Sequence, residues 1–322
     1  MKYLVYILLF CFSTLKAQNL ITNPSFEDID SCYGQPAGIG FDVFKWSGCK
    51  GWSNPIKSSS DLWCQNPVVG NMVPPLIFSY QKPRTGENMG GFVILVDNAT
   101  YSYREFIQNK INTTLEPNKL YRLNFYYSID GGSASGGCPP NQFGVYGSAT
   151  EFKDSSVFFL SHITPLGTSD ENKFMDDTLG WYLCEIVFKA NGGENYLTIG
   201  NYQDSSNTTF VHGCDTTNWE GMTLASEYYY LDDFSVEEYY DYSIPNVFTP
   251  NKDNVNDFFY PDVIQMEDWE LKIQNRWGNL ITTLNKNNPF WTGENHSDGV
   301  YFYLFKSESK SIFKQGCFQL IR

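Results

Sequence analysis

Histidine is almost missing from this 322-residue chain, with only His162, His212 and His296. There is no HExxH, no GxSxG and no Cys-x-x-Cys pair, so the usual zinc-hydrolase, serine-hydrolase and zinc-ribbon signatures are absent. The glycine run at 131–137 lacks the Lys-Ser/Thr ending of a phosphate cradle and reads as a loop. Positive charge is scarce as well: 22 Lys and Arg face 36 Asp and Glu, a formal charge of −14. Phosphate binding wants a basic surface, so nucleic acid is not an expected partner. No apolar run approaches the roughly 18 residues of a membrane span. Nor does an apolar period of 3.6 persist beyond two turns, which removes long amphipathic helices.

What remains is period two. Alternating runs recur at 92–96, 106–111, 120–129, 157–163, 181–188, 196–199 and 228–236, separated by Gly, Pro and Asn clusters such as Glu116-Pro117-Asn118 and Asn191-Gly192-Gly193. The chain is expected to be all-β, its body an antiparallel sandwich. In the run at 120–129, Tyr121, Leu123, Phe125 and Tyr127 share the core face and leave Arg122, Asn124 and Tyr126 on the other. Leu197 and Ile199 likewise oppose Tyr196 and Thr198, and Trp181 is assigned to the core.

The amino end carries an export signal of its own. Met1-Lys2, an apolar stretch at 4–12 and the exit Leu15-Lys16-Ala17 read as a secretory signal peptide over 1–17. Bulky Phe10 before Cys11 argues against a lipidated cysteine. Cleavage after Ala17 removes Lys2 and Lys16 and moves the charge from −14 to −16. The mature chain is expected to be secreted or held at the cell surface, without a transmembrane segment.

Six cysteines, Cys32, Cys49, Cys64, Cys138, Cys184 and Cys214, fall in the body, while Cys317 lies alone near the carboxyl end. An even set in an exported domain favours disulfides, with their pairing open. Cys184 alternates with Tyr182, Ile186 and Phe188 and also fits a buried thiol.

The last segment is the most specific. Pro245, Asn246, Phe248, Thr249, Pro250, Asn251, Asp253, Asn256 and Asp257 form its opening block. Asn275-Arg276-Trp277-Gly278, Trp291-Thr292-Gly293, Asp298-Gly299 with Tyr301, and Arg322 follow in order. This succession resembles the gliding-motility-associated C-terminal domain, the type B sorting domain of the type IX secretion system. The resemblance implies a small Ig-like sandwich over 243–322, export by that machinery, and the machinery as partner. Asp253-Asn254 stands where the family has Asp-Gly, and Trp291-Thr292-Gly293 where it has Trp-Asp-Gly.

The body, 18–242, carries a looser resemblance. Asn23-Pro24-Ser25-Phe26-Glu27 near its start, Gly180-Trp181, and Leu231-Asp232-Asp233-Phe234 near its end resemble the galactose-binding-like jelly roll of carbohydrate-binding modules. That likeness implies an opening strand beside the closing strand, with a structural calcium ligated by Glu27 and Asp232. It also implies a non-catalytic binder of polysaccharide, with a surface adhesin for protein and a β-sandwich glycoside hydrolase with paired carboxylates as alternatives. Sugar recognition stacks aromatic rings on the pyranose face and bonds hydroxyls with amides and charged groups. The candidate contacts are Trp46, Trp52, Trp63, Tyr103, Arg104, Asn124, Tyr126, Tyr196 and Trp219.

Overall fold

The computed structural model describes residues 19–30, 46, 48–58, 60–64, 81–97, 102–129, 140, 142–154, 156–157, 159–170, 180–204, 207–208, 225–264, 266–310 and 312–322. The leader at 1–17, the glycine run at 131–137, Cys32, Cys138, Cys214 and Trp219 lie outside them. Two compact units divide the described chain, Asn19–Tyr239 and Tyr240–Arg322. The described elements are all strands, and no helix among them could cross a membrane.

The first unit holds β1 (Trp52–Ser53), β2 (Asp61–Cys64), β3 (Asn88–Asp97), β4 (Ser102–Tyr103), β5 (Phe106–Lys110) and β6 (Leu120–Ile129). After these come β7 (Gly144–Ser148), β8 (Gly167–Thr168), β9 (Tyr182–Lys189), β10 (Tyr196–Gly200) and β11 (Ala225–Glu238). They form one sheet ordered β1-β5-β10-β7-β8 and another ordered β2-β3-β11-β6-β9, with β4 on β3. Between the sheets lies a core drawn from the period-two faces, including Leu123, Phe125, Ile186, Leu197, Ile199 and Val236. Burying each such side chain is worth about 1.5–3 kcal/mol, so the alternation itself orients the strands.

Four rings from distant parts of the chain close this core. Phe26 lies 4.8 Å from Trp52, Trp52 4.9 Å from Phe234, and Phe234 stacks on Phe125 at 4.9 Å. Backbone pairing follows the rings: Leu20 N–H donates to Val236 O at 2.8 Å, and Phe234 N–H to Pro24 O at 2.9 Å. The opening segment therefore lies along the closing strand.

The structure corrects several expectations. Trp46 and Trp52 are not ligand platforms but core residues, 3% and 4% exposed, because they fill the space around Phe26. None of the described residues of the run at 157–163 lies in a strand; Val157, Phe159, Leu160 and Ile163 cover Phe106 and Tyr202 outside the five-stranded sheet, so these apolar residues serve a second, smaller cluster. Trp181 leaves the main core and packs with Met89, Tyr228 and Tyr230 outside the six-stranded sheet. Cys49 carries a buried thiol rather than the expected disulfide, and Cys184 carries the buried thiol that its alternation with Tyr182, Ile186 and Phe188 also fitted. Burial pushes the Cys49 thiol pKa well up. Cys64 is disulfide-bonded, as expected of it.

The second unit holds β12 (Tyr242–Ser243), β13 (Val247–Phe248), β14 (Asp262–Val263), β15 (Trp269–Gln274), β16 (Leu280–Asn285), β17 (Gly299–Ser307) and β18 (Ile312–Leu320). Five of these make a sheet ordered β13-β18-β17-β15-β16, and β12 pairs with β14 in a ribbon. Among the described strands of this unit only β13 and β18 run parallel. Phe248, Phe259, Trp291, Tyr301 and Phe318 form an aromatic core, with Phe259 and Phe318 stacked at 3.7 Å.

Candidate functional site

The body's acidic motif residues converge on one strap, residues 84–88. Asp232 Oδ2 accepts the Arg84 and Thr85 N–H groups at 2.9 and 3.1 Å, while Glu27 Oε1 accepts those of Glu87 and Asn88, both at 2.9 Å. Glu27 Oε2 takes the Asn88 side-chain amide at 3.0 Å, and Asp232 Oδ1 takes the Asp233 N–H at 2.7 Å. Gly86 belongs to this clasp: its φ is +65°, and a Cβ there would lie 2.2 Å from Glu27 Oε1.

In a regular strand Asp232 and Asp233 would face opposite ways. A register shift between Asp232 and Ser235, with Asp233 at φ +52°, brings both carboxylates to the strap. Asp233 pairs with the Arg84 guanidinium and accepts hydrogen bonds from Ser25 Oγ at 2.6 Å and Thr85 Oγ1 at 2.5 Å. Burial pushes Asp232 up to about 7 despite its N–H donors. Burial also raises Asp233, but the bonds from Ser25, Thr85 and Arg84 outweigh it and hold that carboxyl below its ordinary value. Each of the four oxygens of Glu27 and Asp232 thus has an N–H donor within the chain. No group of three or more His, Cys, Asp or Glu suited to a metal occurs among the described residues.

The strap sets up the outer face of the six-stranded sheet. Its Arg84 guanidinium lies 3.4 Å from the centroid of the Tyr126 ring. Beside Tyr126 on the same face of β6 are Arg122 and Asn124, half-buried, with Leu183, Glu185 and Val187 exposed on the paired strand β9. Asn124 Oδ1 and the fully buried Ser128 Oγ accept no hydrogen bond from any described residue. Further across the sheet Trp63 Nε1 donates to Tyr228 Oη at 2.9 Å, which donates to Asp61 Oδ2 at 2.9 Å. Gly91 makes room for that relay, since a Cβ there would sit 2.2 Å from Tyr228 Oη.

Of the expected contacts, then, Asn124, Tyr126 and Trp63 share one face. Tyr196 is half-buried on β10, in the other sheet. Tyr103 and Arg104 are buried: Tyr103 Oη donates to Glu105 at 2.5 Å, and Arg104 lies over Phe159 and donates to Tyr103 O at 3.1 Å. They pack where the chain crosses from one sheet to the other and are withdrawn as ligand contacts. Sequence reasoning missed Arg84, Trp181, Tyr228 and Tyr230. Parity on β11, where Tyr229 and Leu231 enter the core, was the available signal for the two tyrosines.

The small unit gathers its motifs around Arg322. Nη1 donates to Asp298 Oδ1 at 2.7 Å and His296 O at 2.9 Å, and Nη2 to Gly293 O at 2.8 Å. Asn246 O accepts the Gln319 N–H at 2.9 Å, and Phe248 lies 5.5 Å from Trp291. The loop at 251–257 is self-bonded: Asp257 accepts the N–H groups of Lys252 and Asn254, and Asp253 accepts that of Val255. Thr292 Oγ1, at the position that lacks a carboxylate, accepts the Glu294 N–H at 3.3 Å. Four motif blocks thus meet in one fold.

Residues 242–320 match the CHU_C Type IX secretion signal domain. A type IX secretion signal implies secretion. None of the curated proteins matches the chain. Among solved structures, the K2 cleaved adhesin domain of Lys-gingipain is 10% identical with a TM-score of 0.34, covering 67% of this chain and 97% of that one. The K1 domain of the same protein, from Porphyromonas gingivalis W83, is 11% identical with a TM-score of 0.29, covering 62% and 96%. The adhesin domain of Epf from Streptococcus pyogenes is 12% identical with a TM-score of 0.27, covering 91% and 98%. Likeness at this level says nothing of what the chain binds.

Proposed function

We propose that this is a secreted or cell-surface, non-catalytic binding protein, delivered by the type IX machinery through its secretion signal domain and binding glycan through its body. The body is read as a galactose-binding-like jelly roll. The observation that carries the glycan reading is the outer face of the six-stranded sheet, where half-buried Arg122 and Asn124 line up with a tyrosine fixed by Arg84, beside exposed Glu185 on the paired strand. Such an array offers polar groups to hydroxyls beside an aromatic edge, which is what sugar recognition uses.

The test is a glycan array probed with the exported protein and with an Asn124→Ala, Tyr126→Ala variant. Binding of an oligosaccharide class that the variant loses by about tenfold or more supports the reading. An array silent for both sinks the glycan assignment and favours an adhesin for protein. Calcium at Glu27 and Asp232 is a separate proposal resting on the sequence pattern, and the binding reading does not depend on it. A melting curve lowered by EDTA supports it, and an unchanged curve counts against it.

A further inference from the structure

Among its described residues the secretion signal domain carries an apolar patch on the outer face of its sheet, away from its core. Leu280 and Phe302 both pair with Gln274, so they lie in one row across β16, β15 and β17. They are 56% and 44% exposed, and Val300, two residues before Phe302, is 45% exposed. The turn that follows Gln274 presents Trp277 at 77% exposure, with the Arg276 guanidinium 5.5 Å from its ring. Arg276 reaches back towards β17, its Nη2 lying 3.3 Å from where a Cβ on Gly299 would sit. The turn itself is held by Asn275, whose Oδ1 accepts the N–H groups of Trp277 and Asn279 at 3.0 Å. Folding therefore accounts for Asn275 and for Gly278 at φ +81°, but not for Arg276 or Trp277.

We infer that Trp277, Leu280, Val300 and Phe302, rimmed by Arg276, form the surface by which a protein component of the secretion machinery recognises this domain. The inference rests on the export reading above and adds the recognising residues. Exposed Trp and Arg are the side chains that most often anchor interfaces. The four apolar side chains offer on the order of 500 Å², short of the roughly 800 Å² per partner of a stable interface, so a permanent dimer is disfavoured. A small patch suits a cargo signal, which must be bound and then released. The guanidinium at its edge calls for an acidic rim around an apolar recess on the partner.

The test uses the full chain in a host with type IX secretion, scoring protease-accessible and released protein against periplasmic protein. Trp277→Ser with Leu280→Ser should cut export about tenfold or more while leaving the melting curve of the purified protein unchanged. Arg276→Glu, which keeps every apolar side chain, should also cause retention. Phe258→Ser with Phe290→Ser, at an exposed ring pair outside the strands, should export normally. Truncation of residues 244–322 separates the two claims. If the truncated chain is still exported, the export reading falls and this inference with it. If truncation blocks export but the Trp277/Leu280 and Arg276 variants pass at wild-type level, the recognition patch alone is overturned. A concentration-dependent dimer lost with the same substitutions would also overturn it, in favour of a second copy.

Discussion

The body and the opening block of the secretion signal domain use their acids in opposite ways. In the body, 26 Asp and Glu face 12 Lys and Arg; in the residues from Tyr240 onward, 10 face 8, so nearly all the acid excess belongs to the body. There Glu27, Asp232 and Asp233 bond groups that lie 60 to 208 residues away along the chain. The opening block of the secretion signal domain bonds at a range of two to five residues, through Asn251, Asp253 and Asp257. Local Asx bonds form as soon as their own segment is present, whereas the body's clasp must first close long loops at an entropic cost. The contrast places long-range closure in the body's clasp and a locally encoded turn in the opening block of the secretion signal domain.

The sharpest way to break this contrast is to empty the body's closing core. Phe234→Ala removes a fully buried ring that touches Phe26, Trp52 and Phe125, and should destabilise the body by about 3–5 kcal/mol. Urea unfolding followed separately in the two units should show the body's transition falling and that of the secretion signal domain staying in place. A joint fall would mean that the small unit does not hold its shape alone.

Legibility in the sequence follows the same division. The alternation at 120–129 gave the faces of β6 correctly, because period two in a half-exposed strand is set by burial alone. Local turn chemistry likewise marked the loop at 251–257 and the turn at 275–279. Nothing local marked the strap: Arg84, Thr85 and Gly86 gain their role only when Asp232 and Glu27, distant in the chain, are placed beside them. Trp46 and Trp52 misled because loop-like flanks say nothing about where a ring ends up, and the rings that bury them are Phe26 and Phe234. Arg104 misled similarly, since a cation is rarely fully buried and its partners come from residues 103, 159 and 203.

Proton linkage should separate the units next. Asp232 rises from an ordinary 3.8 to about 7, so between pH about 4 and 7 the folded body keeps a proton that the unfolded chain has released. Its contribution to body stability therefore falls as pH rises through that window. Asp268 in the small unit is lowered to about 2 by hydrogen bonds from Ser307 Oγ and the Ser309 N–H and Oγ. Here the unfolded chain takes the proton first, so stability is lost as pH falls from about 4 towards 2. Melting curves between pH 2 and 8 should show Asp268→Asn flattening the acid limb of the small unit and Asp232→Asn flattening the slope between 4 and 7 in the body. Parallel pH profiles in the two variants would erase the difference.

The smallest test concerns backbone strain. Lys252 and Asp233 both sit at positive φ, +69° and +52°, a region that costs a non-glycine L-residue about 1–2 kcal/mol. Lys252 is exposed, and the bond that places it is made by its own N–H to Asp257, which glycine would keep. Lys252→Gly should therefore stabilise the small unit by about 0.5–1 kcal/mol, the relief of strain exceeding the added freedom of the unfolded chain. Asp233→Gly relieves the same backbone but discards the bonds to Ser25, Thr85 and Arg84, and should destabilise the body. Urea midpoints of opposite sign from two substitutions at the same kind of φ would show that the side chain matters in the body and only the backbone in the signal domain; midpoints of equal sign would remove that distinction.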